Sequence, residues 1–232
     1  MTAGAGQADL PPEAVDLAAA VRRLGDELLT REVDPGHAAK LAATLTELRS
    51  SLERFPSRTK VESFASTPGH NRVEHFVRTG EWPQPPPDGS EIVFDALSFV
   101  GGALNSCSAG VEYHRDGDVA VATATFSPTF EGPPSRVHGG MLAATFDEVM
   151  GTVFRVRGMA SSFTGTLAVR YLAPAPLGVE LEFRAWLQNT EGRKHFIEAS
   201  ASGPDGLVAE ASGTFIQMTR EQFAEAVGAA NS

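Results

Sequence analysis

The stretch RVHGGMLAATFDEVMGTVF, residues 136–154, sets two carboxylates, Asp147 and Glu148, into a run that is otherwise apolar on every side of a helix. A carboxylate buried there without partners carries a heavy desolvation cost or has its pKa pushed up. One role is structural: an acid turns to solvent at a subunit edge, or pairs with a cation such as Arg155 or Arg170. The other role is chemical. Gly140 lies seven positions before Asp147, within roughly 20° of it around the helix and about two turns nearer the N-terminus. No Ser, Thr, Asp or Asn directly precedes the Gly139-Gly140 pair, so the first N–H groups lack an evident side-chain cap, although His138 could supply one. Open N–H groups beside glycines form a seat for an oxygen that carries negative charge. With a carbonyl oxygen in that seat, a half-buried carboxylate on the same face can activate water or attack the carbonyl carbon. The chemistry this pattern offers is acyl transfer to water. Glu148, about 100° around the helix from Asp147, reads as a salt-bridge partner.

The surrounding elements must hold that helix. The segment GVEYHRDGDVAVATATFS carries an Asp116-Gly117 turn between two runs of β-formers, with Val119, Val121, Thr123 and Thr125 alternating against Ala120, Ala122, Ala124 and Phe126. After the helix come FTGTLAVRYL, VELEFRAWLQN, KHFIEASAS and LVAEASGTFIQM, with turns at Asn189 to Gly192 and at Pro204-Asp205-Gly206. The short turns predict an antiparallel meander for the last three strands. A sheet long enough to curl around one apolar helix buries it on most sides, which accounts for Met141, Leu142, Phe146, Val149, Met150 and Phe154 leaving no polar face. The fold class is α+β: an antiparallel sheet wrapped around one long central helix.

Ahead of it, Leu17, Val21, Leu24 and Leu28 recur at helical spacing. After Asp34-Pro35-Gly36, so do Ala38, Leu41, Leu45, Leu48 and Leu52. This predicts an N-terminal helical hairpin whose stripe packs on its own domain or on a sister subunit. Residues 1–10 read as a frayed tail. Residues 66–90 read as a loop with one short helix, closed by a proline-rich linker that cannot join a sheet ladder. The expected domains are residues 1–87 for hairpin and linker, 88–220 for the sheet and its helix, and 221–232 for a C-terminal tail.

The chain has 232 residues and a formal charge of −10, which argues against a nucleic-acid binder, and no basic stripe interleaved with aromatics appears. Any anionic ligand must therefore be met by local Arg and Lys or by backbone N–H groups. The single cysteine, Cys107, cannot form an internal disulfide and reads as a small buried hydrophobe, and no Cys/His spacing marks a metal site. No charged region followed by an apolar core opens the chain, and no run of 18 apolar residues occurs. The expectation is a cytoplasmic protein without membrane insertion.

Four stretches together resemble a known family. VHGGMLAATFDEVMG at the helix, FSPTFEGPPSRVHGG before it, TGTLAVRYLAPAPLG after it and EGRKHFIEAS in the next hairpin are similar to the hotdog-fold acyl-CoA thioesterases of the PaaI and 4-hydroxybenzoyl-CoA thioesterase superfamily, over roughly residues 92–218. The resemblance implies that Asp147 is the catalytic acid, as general base or nucleophile, and that Gly139 donates its backbone N–H to the thioester carbonyl while Gly140 shapes the helix start. It implies that His138 holds the loop and that Thr164 positions the attacking water. Asn105 in GGALNS matches a substrate-binding segment of relatives, with Ser106 in place of their proline. Members are at least dimers, with the helix of one subunit meeting the strand of its partner, so Thr164 is expected to act across the interface. Homodimers and homotetramers both fit. The substrate implied is an acyl-CoA or an acyl carrier protein thioester, with no metal or redox cofactor. Arg193, Lys194 and Arg170 are the candidates for phosphate contacts. The competing reading is a non-catalytic acyl-thioester-binding or structural hotdog module, which needs the pocket but no acid.

Overall fold

A computed structural model of the chain describes residues 10–57, 68–92 and 95–230. The tail expected over residues 1–10 lies, but for Leu10, outside the described residues, as do residues 66 and 67 of the expected loop. The elements run α1 (Pro12–Thr30), α2 (Pro35–Leu52), α3 (Pro68–Thr79), β1 (Glu112–Asp116), β2 (Val119–Thr125), a 3-10 turn (Pro128–Phe130), α4 (Gly139–Val156), β3 (Ser162–Tyr171), β4 (Glu180–Glu191), β5 (Lys194–Gly203), β6 (Gly206–Gln217) and α5 (Arg220–Ala230).

The strands form one six-stranded sheet in the order β1-β2-β4-β5-β6-β3, with every neighbouring pair antiparallel. Strands β4, β5 and β6 are the meander the short turns predict. Gly117 (φ 58) follows Asp116 and Gly192 (φ 59) follows Glu191, each at the first central position of a two-residue hairpin, where positive φ suits the twist of the flanking strands.

Helix α4 lies against β2, β3 and β4 and also reaches β5 and β6. Phe146, Val149, Met150 and Val153 have no exposed surface at all. Each such side chain contributes about 1.5–3 kcal/mol relative to exposure. The alanine face of β2, with Ala120, Ala122 and Ala124, joins this core, as do Ala199 and Ala201 of β5 and Ala209 and Ala211 of β6. Small side chains on the concave face let the helix come close. Gly213 on β6 marks a close approach, because a Cβ there would meet Phe215 Cε2 at 2.9 Å and Met150 Sδ at 3.2 Å. Gly213→Val is therefore expected to destabilise the fold by about 1–3 kcal/mol through overpacking. Thermal denaturation checks this, and an unchanged Tm would show that helix and sheet have slack at that point.

The two N-terminal helices form where their spacing predicts, with four residues, Arg31 to Asp34, joining α1 to α2. Helix α1 is fastened to the sheet domain. Arg22 Nη1 donates to the Asn105 carbonyl at 2.6 Å, and Asp26 Oδ1 accepts from Thr129 Oγ1 at 2.6 Å. Helix α2 buries no residue, and its Leu45, Leu48 and Leu52 remain exposed. The stretch expected as a C-terminal tail forms α5. Its Phe223 is buried edge-on against Phe76 of α3 and Trp82, which themselves stack with ring centroids 4.6 Å apart. The linker is likewise held, with Pro85 against Gly158 at the end of α4 and Arg115 Nη1 donating to the Pro86 carbonyl at 2.6 Å. One long helix wrapped by an antiparallel sheet is the hotdog fold.

Candidate active site

The helix start distinguishes the two glycines. His138 is the N-cap of α4 in extended conformation (φ −61, ψ 130), and its Nδ1 accepts the N–H of Gly140 at 2.9 Å. The His138 carbonyl accepts the N–H groups of Met141 and Leu142 at 2.9 and 3.2 Å. Among the described residues no acceptor meets the N–H of Gly139. The side-chain cap thus falls on Gly140 and leaves the Gly139 amide as the donor at the positive end of the helix dipole.

Farther along α4, Asp147 is half-buried. Its Oδ1 accepts from Thr164 Oγ1 on β3 at 2.7 Å, within the same chain. The expected delivery of Thr164 from a partner is corrected here: Thr164 already serves the Asp147 of its own chain. No cation among the described residues pairs with Asp147, and Arg170 pairs with Glu210. The structural reading that Arg170 neutralises the acid is therefore excluded.

A bulge makes the Thr164 contact. Thr164 pairs with Phe215 and Thr166 pairs with Thr214, so Gly165 is the extra residue. A strand alternates faces, and Thr164 and Tyr171, seven positions apart, would point to opposite sides of a regular one. The bulge restores the parity. Thr164 reaches Asp147, and the Tyr171 hydroxyl donates to the Gly139 carbonyl at 2.7 Å. Tyr171 was not singled out from the sequence; the glycine inside a strand pattern was the available signal that the alternation breaks there.

Glu148 is not the salt-bridge partner that its spacing predicts. It accepts from the Tyr113 hydroxyl at 2.8 Å and from the Ser98 hydroxyl, and so ties β1 and the 95–110 loop to α4. Burial pushes its carboxyl above the usual carboxylate range, while the Ser98 and Tyr113 hydroxyls pull the other way. Burial, with the Glu148 charge beside it, also holds the Tyr113 phenol well above its ordinary value. With the folded pKa raised, the stability that Glu148 contributes is complete below its unfolded value of about 4.3 and is lost as pH rises through the folded value. Glu148→Gln is therefore expected to flatten the decline of Tm from about pH 4 toward neutrality. Parallel Tm–pH curves for the two proteins would remove Glu148 from that role.

The remaining candidates are spread out. Asn105 uses both ends of its amide in its own loop, donating to the Leu97 carbonyl at 3.0 Å and accepting the Cys107 N–H at 2.8 Å. It braces the loop rather than presenting a free amide to a ligand. Arg193 donates to the Gln217 carbonyl at 2.7 Å and to Gln222 at 3.3 Å. Lys194 is exposed and stands in register with Ile216, which pairs with Phe163 next to Thr164. That places Lys194 about 10 Å across the sheet from β3, at the Asp147 end. Arg170 sits near the other end of β3, bound to Glu210. Cys107, expected buried, is exposed, because it sits in the turn that Asn105 closes. Among the described residues no group of three His, Cys, Asp or Glu side chains is placed to hold a metal ion, and no helix is long and apolar enough to cross a membrane.

An open amide at the start of a sheet-wrapped helix and a hydroxyl-oriented aspartate farther along it thus lie on one helix of a hotdog fold. In comparison with known proteins, the family model described as the thioesterase superfamily matches residues 135–210. The segment carrying α4 and β3 to β5 is thus similar to that superfamily. A mouse (Mus musculus) protein named acyl-coenzyme A thioesterase THEM4 is 34% identical over 94 residues, 40% of this chain and 40% of that protein. Its namesake from Xenopus laevis is 34% identical over 95 residues, 39% of this chain and 41% of that protein. The chain thus spans about two fifths of the length of the curated relatives it matches. A solved structure of a thioesterase superfamily protein shares the fold over 88% of this chain and 90% of its own, with a TM-score of 0.68 at 21% identity.

Proposed function

We propose that this chain hydrolyses acyl-CoA thioesters to the free acid and CoA, working as a homodimer. The observation that carries this reading is the pairing of an unpartnered Gly139 N–H with an Asp147 carboxylate that a hydroxyl orients and no cation neutralises. The thioester carbonyl oxygen sits on the Gly139 N–H. Asp147 takes a proton from water, the resulting hydroxide adds to the carbonyl carbon, and the C–S bond breaks as the tetrahedral intermediate collapses. The leaving thiolate recovers the proton from Asp147. With Oδ1 engaged by Thr164, Oδ2 is the oxygen that takes the proton from water.

Reach argues for two chains. Gly139 and Asp147 are eight residues apart, about 12 Å along the helix axis and about 80° around it. A carbonyl held on one amide sits beyond direct contact with the carboxylate of the same helix. Strand β3 is the last in the sheet order, with Phe163 62% and Tyr171 51% exposed, and an open edge of this length invites pairing. Antiparallel pairing of two β3 edges about a two-fold axis sets the Thr164 end of one strand against the Tyr171 end of the other. That arrangement brings Gly139 of one chain toward Asp147 of its partner. Lys194, in register with Ile216 and Phe163 at that end of the sheet, and its neighbour Arg193 are assigned to the anionic nucleotide portion of CoA.

Free-thiol release from a panel of acyl-CoA substrates tests the reading. Turnover by the wild type supports it. Tight binding of every acyl-CoA without thiol release overturns it in favour of a non-catalytic module, and release only from acyl carrier protein thioesters replaces the substrate.

A further inference from the structure

The Gly139-Gly140 pair gives the helix start two residues without side chains, each free to sample conformations closed to others. The direction of the Gly139 N–H must therefore be fixed by something else. The peptide unit that joins Gly139 to Gly140 is gripped at both ends. Its N–H donates to His138 Nδ1 at 2.9 Å, and its carbonyl accepts from the Tyr171 hydroxyl at 2.7 Å. The unit before it, which carries the Gly139 N–H, is anchored through the His138 carbonyl by Met141 and Leu142. The Tyr171 ring also lies against the backbone, since a Cβ on Gly139 would sit 3.3 Å from its Cζ and Oη.

We propose that Tyr171 is a positioning residue for the carbonyl-binding amide: by holding the Gly139 carbonyl while His138 holds the Gly140 N–H, it fixes the peptide unit on the far side of the Gly139 Cα and so restricts the two glycine torsions that tilt the Gly139 N–H. This rests on the thioester-hydrolase reading above. Tyr171 does not touch the reacting atoms, and it acts through the backbone on the other side of the Gly139 Cα. The grip comes from a different element than the helix it steadies, and the Gly165 bulge gives Tyr171 the face it needs.

Tyr171→Phe removes the hydroxyl and keeps the ring. The expected result is a roughly tenfold lower kcat, the worth of one hydrogen bond, with KM and sedimentation behaviour unchanged and Tm lowered by no more than a few degrees. The amide resonances of Gly139 and Gly140 in a ¹H–¹⁵N spectrum of the full chain should move or broaden, while those along the middle of α4 stay put. A kcat within twofold of wild type, or unmoved glycine resonances, overturns the proposal. So does a joint fall of Tm and a rise of KM with kcat kept, which is the signature of packing alone. If the wild type turns over no thioester, the hydrolase reading fails separately, and the glycine resonances by themselves decide whether Tyr171 clamps the peptide.

Discussion

Asp147→Asn is expected to lower kcat for acyl-CoA hydrolysis by about 10²–10⁴-fold, the usual worth of a positioned general base. The substitution is close to isosteric, and its carbonyl oxygen can still accept the Thr164 hydroxyl that now lies 2.7 Å from Oδ1. What it loses is the ability to take a proton from water. The side chain is half-buried and unpaired with any described cation, so stability should change by no more than about 0.5 kcal/mol. KM should hold, because the acid acts on water as the transition state forms. Free-thiol release at saturating substrate reads the effect, and a kcat within a factor of three or so of wild type, far short of a general base's worth, would remove Asp147 from its role.

Gly139→Pro is expected to cost about 10²–10³ in kcat, the typical loss of one oxyanion donor. Proline deletes the N–H and adds a ring whose Cβ lies beside Tyr171. It is favoured at the first position of a helix, and His138 already has the extended conformation that a following proline requires. Gly139→Ala is the control. It adds the same Cβ beside Tyr171 but retains the amide, so the difference between the two variants removes the Cβ contribution and leaves that of the donor and the remaining ring atoms. Mixed dimers carry the test further. A dimer of one Asp147→Asn chain and one Gly139→Pro chain keeps both groups at one of its two shared sites, so activity should return to about half of wild type although each parent homodimer is nearly inactive. If each chain instead housed a whole site, both sites in the mixed dimer would be broken and no activity would return.

Much of the fold is legible in the sequence because its signals are local. Gly117 and Gly192 sit at turns that need positive φ, short connections force β4, β5 and β6 to be neighbours, and a helix without a polar face demands a sheet around it. The two N-terminal helices are legible too, but spacing shows which face is apolar and not what covers it. Arg22 and Asp26 of α1 bind backbone and hydroxyl groups of loops more than eighty residues away, and no periodicity encodes that. Glu148 was misread for a related reason: a charge in a pattern is assigned a charged partner, whereas here two hydroxyls from distant segments satisfy it.

The sequence by itself determined the wrapped helix, its glycine start and the acid inside it, since the 3.6-residue period, the missing cap residue and the apolar surroundings are all properties of neighbours along the chain. Only the tertiary structure decided which glycine amide stays open, that Thr164 serves the Asp147 of its own chain, and that Tyr171 holds the Gly139 carbonyl. The reason is the bulge at Gly165. One extra residue in a strand flips every side chain beyond it to the other face, and whether a glycine forms that bulge depends on the strand it is paired with, not on the letters beside it.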